Sequence, residues 1–331
     1  MAYTSWRRTG LAIACALLIA TTAIPATAGA AASAENLTTG SYTNAAGTLA
    51  YELYVPASYQ AGTPVPLVVA LHGCTESADQ FRQLSRFDEV AAAKGFIVVY
   101  PEQSKSANQQ TCWNWFKTEH LNRDAGEPSL IAGITDWVKQ HYSIDSHRTY
   151  VAGLSAGGAM ASVMGATYPD VYAAIGVGSG CEDSAGAACA GYQSADPEQA
   201  GQQAYKAMGA HARAMPFVIF QGDQDTTVPP INADQNVRAN QVTADWADDG
   251  TENGSVPTPP SKADGGQVSG GRSYTTKYYS DGHGNELGQL WVVQGMGHAW
   301  SGGNPAVQYA DPAGPNESAA MYDFFASHPA P

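Results

Sequence analysis

Hydrophobic residues occur along the chain in short runs, and the spacing of these runs predicts strands that alternate with helices. Residues 67–71 and 96–100 are apolar without interruption, which is typical of strands buried on both faces of a parallel sheet. Residues 49–55 alternate between apolar and polar side chains and predict an early antiparallel strand. A helical stretch over residues 78–94 separates the two buried runs. The pattern predicts one α/β domain with a mainly parallel central sheet flanked by helices.

The same reasoning applies to the rest of the chain. Further strands are predicted at residues 149–153, 172–178, 217–220, 274–279 and 290–293. Further helices are predicted at residues 129–142, 155–168, 202–214, 232–247 and 318–325. Three segments show no periodicity: residues 103–124, 180–201 and 248–272. We expect the last of these to be an exposed loop, whereas a loop as long as the first is typical of a functional segment.

A sharp turn at Gly153-Leu154-Ser155-Ala156-Gly157 stands between a predicted strand and a predicted helix. Such a strand–turn–helix unit holds the serine hydroxyl exposed at the carboxyl end of a sheet. The glycines allow the strand and the helix to approach closely, because a Cβ at either position would clash. We therefore predict that Ser155 is a nucleophile.

Two more groups that suit acyl chemistry follow predicted strands later in the chain. The order Ser155, Asp225, His298 is the one expected of an α/β-hydrolase. His298 would remove the serine proton during attack, and Asp225 would hold the imidazole in the correct tautomer. Asp223 competes for the carboxylate role, but we expect it to brace the turn instead. We likewise expect His72 to brace its own loop.

The oxyanion of an acyl-transfer intermediate needs preorganised N–H donors. We predict the backbone N–H of Ala156 as one donor and that of Cys74 as the other, with Thr75 as the alternative to Cys74. Trp300 follows the candidate base by two residues and is expected to line the substrate pocket. For Trp113 and Trp115, lining the pocket and packing in the core remain equally open.

Five cysteines are present, of which Cys15 lies in the apolar segment near the start of the chain. The other four suggest two disulfides. Of the three possible pairings we favour the one that joins Cys74 to Cys112 and Cys181 to Cys189. Free thiols and metal ligation are the alternatives. Because no two histidines have metal-ligand spacing, we expect no metal, and no cofactor is expected either.

The first 34 residues have the features of a cleaved signal peptide, with Arg7 and Arg8 before an apolar stretch at residues 11–20. Cleavage is expected after Ala34, with Ala28 as the alternative, leaving residues 35–331 as the catalytic domain. The formal net charge is −14, which argues against nucleic acid and anionic membranes as partners. We expect a secreted, extracellular monomer.

Several motifs together resemble the secreted polyhydroxybutyrate (PHB) depolymerase family of esterases, and related feruloyl and acetylxylan esterases share much of the pattern. The motifs are Leu71-His72-Gly73-Cys74-Thr75, Tyr100-Pro101-Glu102-Gln103, Cys112-Trp113-Asn114-Trp115-Phe116, Gly153-Leu154-Ser155-Ala156-Gly157-Gly158-Ala159-Met160 and Gly297-His298-Ala299-Trp300-Ser301-Gly302-Gly303. The resemblance covers residues 49–325. It implies a serine carboxylic-ester hydrolase with Ser155, Asp225 and His298 as its triad.

The resemblance leaves two classes of substrate open. One is short-chain hydroxyalkanoate esters or oligomers, and the other is feruloyl or acetyl esters of plant polysaccharide. No linker or polymer-binding module follows the last predicted helix, so we expect soluble esters rather than solid polyester. A serine peptidase and a non-catalytic binding protein of the same fold are the remaining alternatives.

Overall fold

The structure is a computed structural model, and it describes residues 1–5, 36–182, 189 and 196–331. The chain divides into two compact units, Met1–Ala30 and Ala31–Pro331. Apart from residues 1–5, the expected signal segment lies outside the described residues, as do Cys15 and both expected cleavage positions. The described helices and strands lie in the second unit.

Ten strands form one sheet in the described part of the chain, and a two-stranded sheet accompanies it. The strands are β1 (Leu37–Asn44), β2 (Gly47–Tyr54), β3 (Val65–Leu71), β4 (Ile97–Glu102), β5 (Ile144–Leu154), β6 (Ala174–Gly178), β7 (Phe217–Gly222), β8 (Lys262–Gln267), β9 (Ser273–Ser280), β10 (Glu286–Val293), β11 (Trp300–Ser301) and β12 (Ala310–Asp311). The order in the large sheet is β1-β2-β4-β3-β5-β6-β7-β10-β9-β8. The six central strands from β4 to β10 are parallel, while β1 and β2 at one edge and β9 and β8 at the other pair antiparallel. The predicted α/β class and mainly parallel sheet are confirmed.

Helices cover both faces of this sheet. They are α1 (Ala78–Ser85), α2 (Phe87–Lys94), α3 (Gly126–His141), α4 (Ala156–Thr167), α5 (Pro197–Met208), α6 (Ile231–Asp249) and α7 (Glu317–Ser327). Along β3, Leu67, Val69 and Leu71 belong to the apolar core on one face, and Val68 and Ala70 to the core on the other. Successive side chains of a strand point to opposite faces, so a strand covered on both sides must be apolar throughout.

The helix predicted over residues 78–94 is interrupted, and this corrects the prediction. Arg86 adopts φ 57°, and its N–H donates to the carbonyl of Arg82, so it ends α1. Its guanidinium then pairs with Glu89 in the first turn of α2. A left-handed arginine carries none of the glycine signal by which a helix end is usually found.

Two edge strands were not predicted. The strand β8 lies within residues 248–272, which we expected to be a loop, and β1 precedes the first predicted strand. Each pairs on one side only. The side chains of β8 are mostly exposed, and those of β1 are exposed or half-buried. Because neither strand faces two cores, neither shows the apolar run by which a strand is found.

Candidate active site

Ser155 lies at the tight connection between β5 and α4. Its backbone has φ 57° and ψ −118°, a sparsely populated conformation for a residue with a Cβ. The two glycines of the motif are required by close packing at this connection. A Cβ on Gly153 would lie 2.6 Å from the carbonyl oxygen of Leu71, and a Cβ on Gly157 would lie 2.7 Å from that of His72. The predicted steric reason for both glycines therefore corresponds to contacts with named backbone atoms.

Asp225 and His298 meet because the strands that precede them, β7 and β10, are parallel neighbours in the sheet. Nδ1 of His298 lies 2.8 Å from Oδ2 of Asp225. The other carboxylate oxygen, Oδ1, accepts the backbone N–H groups of Thr227 at 2.8 Å and Val228 at 2.9 Å. Burial raises the pKa of Asp225. The hydrogen bond and charge of His298, together with these N–H groups, lower the pKa by more than burial raises it. The net pKa lies below the ordinary value, so the aspartate stays ionised.

Asp223 makes a different contact. Its Oδ1 accepts the N–H of Gly295 at 2.6 Å, and its own N–H donates to the carbonyl of Val293. Asp223 thus joins the end of β7 to the turn after β10. The structure places Asp225 against His298, and it places Asp223 in the bracing position that we expected.

Ser155 and His298 line the same cavity, which has a volume of about 220 Å³. Cys74, Ala156 and Trp115 also line it. The cavity lies at the carboxyl ends of the parallel strands, where ligands of open α/β sheets bind. These five sequence-predicted residues from distant parts of the chain therefore line one cavity.

The N–H groups predicted for the oxyanion differ in availability. The N–H of Thr75 donates to the carbonyl of Gln110 at 2.6 Å, so it is already paired. Within the described residues, no acceptor is found for the N–H of Cys74 or of Ala156, the first residue of α4. Cys74 is joined to Cys112 by a disulfide, which ties this turn to the long loop over residues 103–124.

The other favoured cysteine pair, Cys181–Cys189, is also joined by a disulfide. Cys189 lines the same cavity as the candidate nucleophile. Both favoured pairings therefore agree with the structure, and both disulfides lie beside the cavity or the turn that borders it.

His72 is buried and neutral. Burial lowers its pKa to about 4, although the hydrogen bond to the Gly73 carbonyl opposes this shift. Its Nε2 accepts the N–H of Gln103 at 3.0 Å, so Nδ1 carries the proton and donates to the Gly73 carbonyl at 2.7 Å. Both ring nitrogens are occupied, so His72 braces the loop and is not available as a base.

The tryptophans correct one expectation and resolve an open one. Trp300 is fully buried, packs edge-on against Phe81 and donates to the hydroxyl of Ser318, so it belongs to the core and does not line the cavity. Trp113 is also buried and donates to the carbonyl of His72. Trp115 alone of the three lines the cavity.

Tyr309 and Glu76 are among the cavity residues that were not predicted from the sequence. Tyr309 presents its ring edge-on to His298, and its hydroxyl lies 3.4 Å from that of Thr75. It comes from the connection between β11 and β12, which has no recognisable sequence signal. Glu76 also lines the cavity, although a glutamate in a turn is usually a solvated residue.

In the part of the chain that the structure describes, no cluster of three His, Cys, Asp or Glu side chains is arranged to hold a metal ion. None of the described helices has the length and apolar character needed to span a membrane. His283 lies in the turn between β9 and β10 and is exposed.

The chain is similar in sequence to one protein family and to several esterases. The family model described as esterase PHB depolymerase matches residues 49–248. Poly(3-hydroxyalkanoate) depolymerase C of Paucimonas lemoignei is 34% identical over 253 residues, which cover 74% of this chain and 57% of that protein. Acetylxylan esterase A of Emericella nidulans is 35% identical over 196 residues, which cover 55% of this chain and 63% of the relative. The chain thus spans about three fifths of the length of these relatives.

Solved structures of similar fold include an acetyl xylan esterase from Aspergillus awamori. Its TM-score is 0.64 at 25% identity, and the match covers 79% of this chain and 94% of that one. A feruloyl esterase module from Clostridium thermocellum matches with a TM-score of 0.51 at 14% identity, over 79% of this chain and 81% of that one. These likenesses confirm the predicted α/β-hydrolase fold.

Proposed function

The chain belongs to the esterase PHB depolymerase family, and on this premise we propose that it is a serine carboxylic-ester hydrolase working through an acyl-serine intermediate. One observation carries the proposal. The His298–Asp225 pair and the strained Ser155 turn line or adjoin one cavity, although they come from three separate strand ends. Convergence of a nucleophile, a base and an orienting carboxylate is the geometry that acyl transfer requires.

In the proposed reaction, the Ser155 hydroxyl attacks the ester carbonyl while Nε2 of His298 takes its proton. Asp225 keeps the proton on Nδ1 and stabilises the imidazolium that forms. The oxyanion accepts hydrogen bonds from the N–H groups of Cys74 and Ala156. Collapse of the intermediate breaks the bond to the alcohol oxygen, which takes the proton from His298. Water, deprotonated by the same imidazole, then attacks the acyl-serine. The bond between the acyl carbon and Oγ of Ser155 breaks, the acid is released, and the serine oxygen takes the proton from His298.

A fluorophosphonate probe tests this mechanism, since it reacts with an activated serine. We expect the wild-type protein to gain one label and Ser155→Ala to gain none. Ser41→Ala provides the matched control, because Ser41 is exposed on the edge strand β1, and it should label like wild type. If wild type is not labelled, or if Ser155→Ala is still labelled, the mechanism is wrong.

We propose short-chain hydroxyalkanoate esters and oligomers as the substrates. The cavity of about 220 Å³ supports a short acyl chain, because it is smaller than the ~300 Å³ at which pockets for drug-sized ligands begin. The depolymerase relative from Paucimonas lemoignei points the same way. Release of 3-hydroxybutyrate from soluble oligomers, measured by chromatography, should exceed release of ferulate from methyl ferulate.

Acetyl esters of plant polysaccharide form the second candidate, and feruloyl esters belong to the same class. The observation in its favour is the likeness to the Aspergillus awamori and Emericella nidulans acetylxylan esterases. Acetate release from acetylated xylan tests it. If acetate is released faster than 3-hydroxybutyrate at equal enzyme concentration, the polysaccharide esterase is the correct assignment.

We further propose that residues 1–34 are removed on export and that residues 35–331 act extracellularly as a monomer. The two disulfides support an oxidising destination. Intact mass and amino-terminal sequencing of the protein recovered from culture medium test the cleavage after Ala34. Recovery of the uncleaved chain in the cells would contradict the proposal, and light scattering tests the monomer.

A further inference from the structure

Glu76 is a buried acid in the wall of the candidate active site. Glu76 stands in the turn after β3 and is 6% exposed. It lines the same cavity as Ser155 and His298. Buried acids are uncommon because an ionised carboxylate loses its hydration when it leaves water. Its position therefore calls for a physical account.

The two oxygens of Glu76 are in different situations. Oε2 accepts the N–H of Gly73 at 2.7 Å. Oε1 is buried, and within the described residues it has no hydrogen-bond partner. The salt bridges in the described residues do not include this carboxylate. Burial raises the pKa of Glu76 to about 7, although the Gly73 hydrogen bond opposes this shift.

The turn itself needs only one of these oxygens. Besides the Oε2 contact, the turn is held by the N–H of Thr75 on the Gln110 carbonyl and by the hydroxyl of Thr111 on the Glu76 carbonyl. The disulfide from Cys74 adds a covalent link to the same loop. Oε1 contributes to none of these contacts.

Glu76 and the candidate nucleophile flank the same glycine. A Cβ built on Gly73 would lie 3.0 Å from Oε2 of Glu76 and 3.5 Å from Cβ of Ser155. Of the glutamates in the described part of the chain with an unpaired buried oxygen, which are Glu76, Glu182 and Glu317, Glu76 alone lines this cavity. The carboxyl group of Glu76 therefore lies near Ser155.

We propose that Glu76 is a substrate-binding residue, and that Oε1 pairs with a hydroxyl group of the ester close to the carbon that Ser155 attacks. The inference rests on the proposed esterase function and adds a substrate class, esters that carry a neighbouring hydroxyl. A hydroxyl supplies the donor that an unpaired carboxylate oxygen lacks. The hydroxyl belongs either to the acyl chain, as in a 3-hydroxyacyl ester, or to the alcohol, as in a partly acetylated polyol.

Two pairs of simple esters distinguish these sources. Methyl 3-hydroxybutyrate against methyl butyrate tests the acyl side, and 2-hydroxyethyl acetate against propyl acetate tests the alcohol side. We expect wild type to prefer the hydroxylated member of one pair in kcat/KM, measured by pH-stat titration. At pH 8, above the pKa of about 7, the Glu76 carboxylate is ionised, and a charge-assisted hydrogen bond to it corresponds to about a tenfold to hundredfold preference.

Glu76→Gln is the matched variant, because its amide oxygen can still accept the Gly73 N–H while the carboxylate is gone. We expect it to reduce the preference, which is the ratio of kcat/KM for the two members of a pair, about tenfold, whatever its effect on the unhydroxylated member. Equal loss on both members of a pair would show that Glu76 acts only by holding the turn, which overturns the inference. The absence of any preference in wild type would overturn it as well. If wild type hydrolyses none of the four esters, the esterase proposal itself fails, and the inference fails with it.

Discussion

Replacing Asp225 with asparagine should stop most ester hydrolysis by reversing the tautomer of His298. Oδ1 of Asp225 accepts two backbone N–H groups, from Thr227 and Val228, so the asparagine carbonyl oxygen must take that place. Its NH₂ group then occupies the Oδ2 position, 2.8 Å from Nδ1 of His298. A ring nitrogen that faces a donor must accept, so Nδ1 loses its proton and Nε2 carries it. In that tautomer the imidazole cannot take the proton of Ser155.

The opposite amide orientation does not restore the correct tautomer at low cost. It would direct NH₂ at two backbone N–H groups and leave buried donors unpaired, at about 1–3 kcal/mol each. The expected loss in kcat is therefore that of a triad with the wrong tautomer, about 10⁴-fold. This corresponds to about 5.4 kcal/mol on the activation barrier, at about 1.36 kcal/mol for each factor of ten.

The same substitution should lower stability in a manner that depends on pH. The pKa of Asp225 is depressed below its ordinary value of 3.8, so the ionised carboxylate stabilises the fold above that pH. That contribution is lost as pH falls through the lower folded-state pKa. The melting temperature of Asp225→Asn should lie below wild type at pH 7, and the difference should shrink toward pH 3.

Asp223→Asn is the matched control. Its amide oxygen can still accept the Gly295 N–H that Asp223 holds at 2.6 Å, so kcat should stay within about threefold of wild type. Both variants are compared by initial rates on methyl butyrate and by thermal unfolding. The reasoning is refuted if Asp223→Asn alone abolishes turnover, or if Asp225→Asn keeps a rate within tenfold of wild type.

Three further expectations concern packing and titration. Gly157→Ala should destabilise the protein by about 1–3 kcal/mol in chemical denaturation, because its Cβ would meet backbone carbonyls, whereas Gly265→Ala, with its nearest such neighbour at 4.0 Å, should change little. Trp300→Phe should lower the free energy of unfolding by about 2 kcal/mol and leave KM unchanged, because Trp300 is buried in the core. Trp115→Phe should change KM, because Trp115 lines the cavity. A KM change in Trp300→Phe alone would contradict the assignment of Trp300 to the core. Burial favours neutral Glu76, so the stability that Glu76 contributes is complete below its ordinary pKa of 4.5 and is lost as pH rises through about 7. The melting temperature of Glu76→Gln should therefore fall less between pH 4 and pH 8 than that of wild type. An equal fall in both proteins would argue against the raised pKa.

The parts of the site that could be predicted from the sequence are those tied to the ends of buried strands. Ser155, Asp225 and His298 each follow an apolar run, and parallel strands bring their carboxyl ends to one edge of the sheet. Gly153 and Gly157 were also predictable, because close packing of a strand and a helix leaves no room for a Cβ at either position.

Features that depend on tertiary packing could not be predicted in this way. Trp300 follows His298 by two residues, but the short strand β11 carries it into the core against Phe81. Glu76 is polar and stands in a turn, and its burial arises from contacts with a loop more than thirty residues later in the chain. The edge strand β8 is polar because it has no core to face.

The disulfide between Cys74 and Cys112 links the turn that carries the proposed oxyanion donor to a loop 38 residues away, and this makes the site depend on the redox conditions around it. In a reducing compartment both thiols are free, and the turn keeps only its hydrogen bonds to that loop. We expect hydrolysis to fall in step with the reduction of this pair, measured by thiol titration alongside rate. A chain made in a reducing cytosol would then acquire full activity only after it meets oxidising conditions. On the proposed export, esters inside the producing cell would be spared until the chain is outside it.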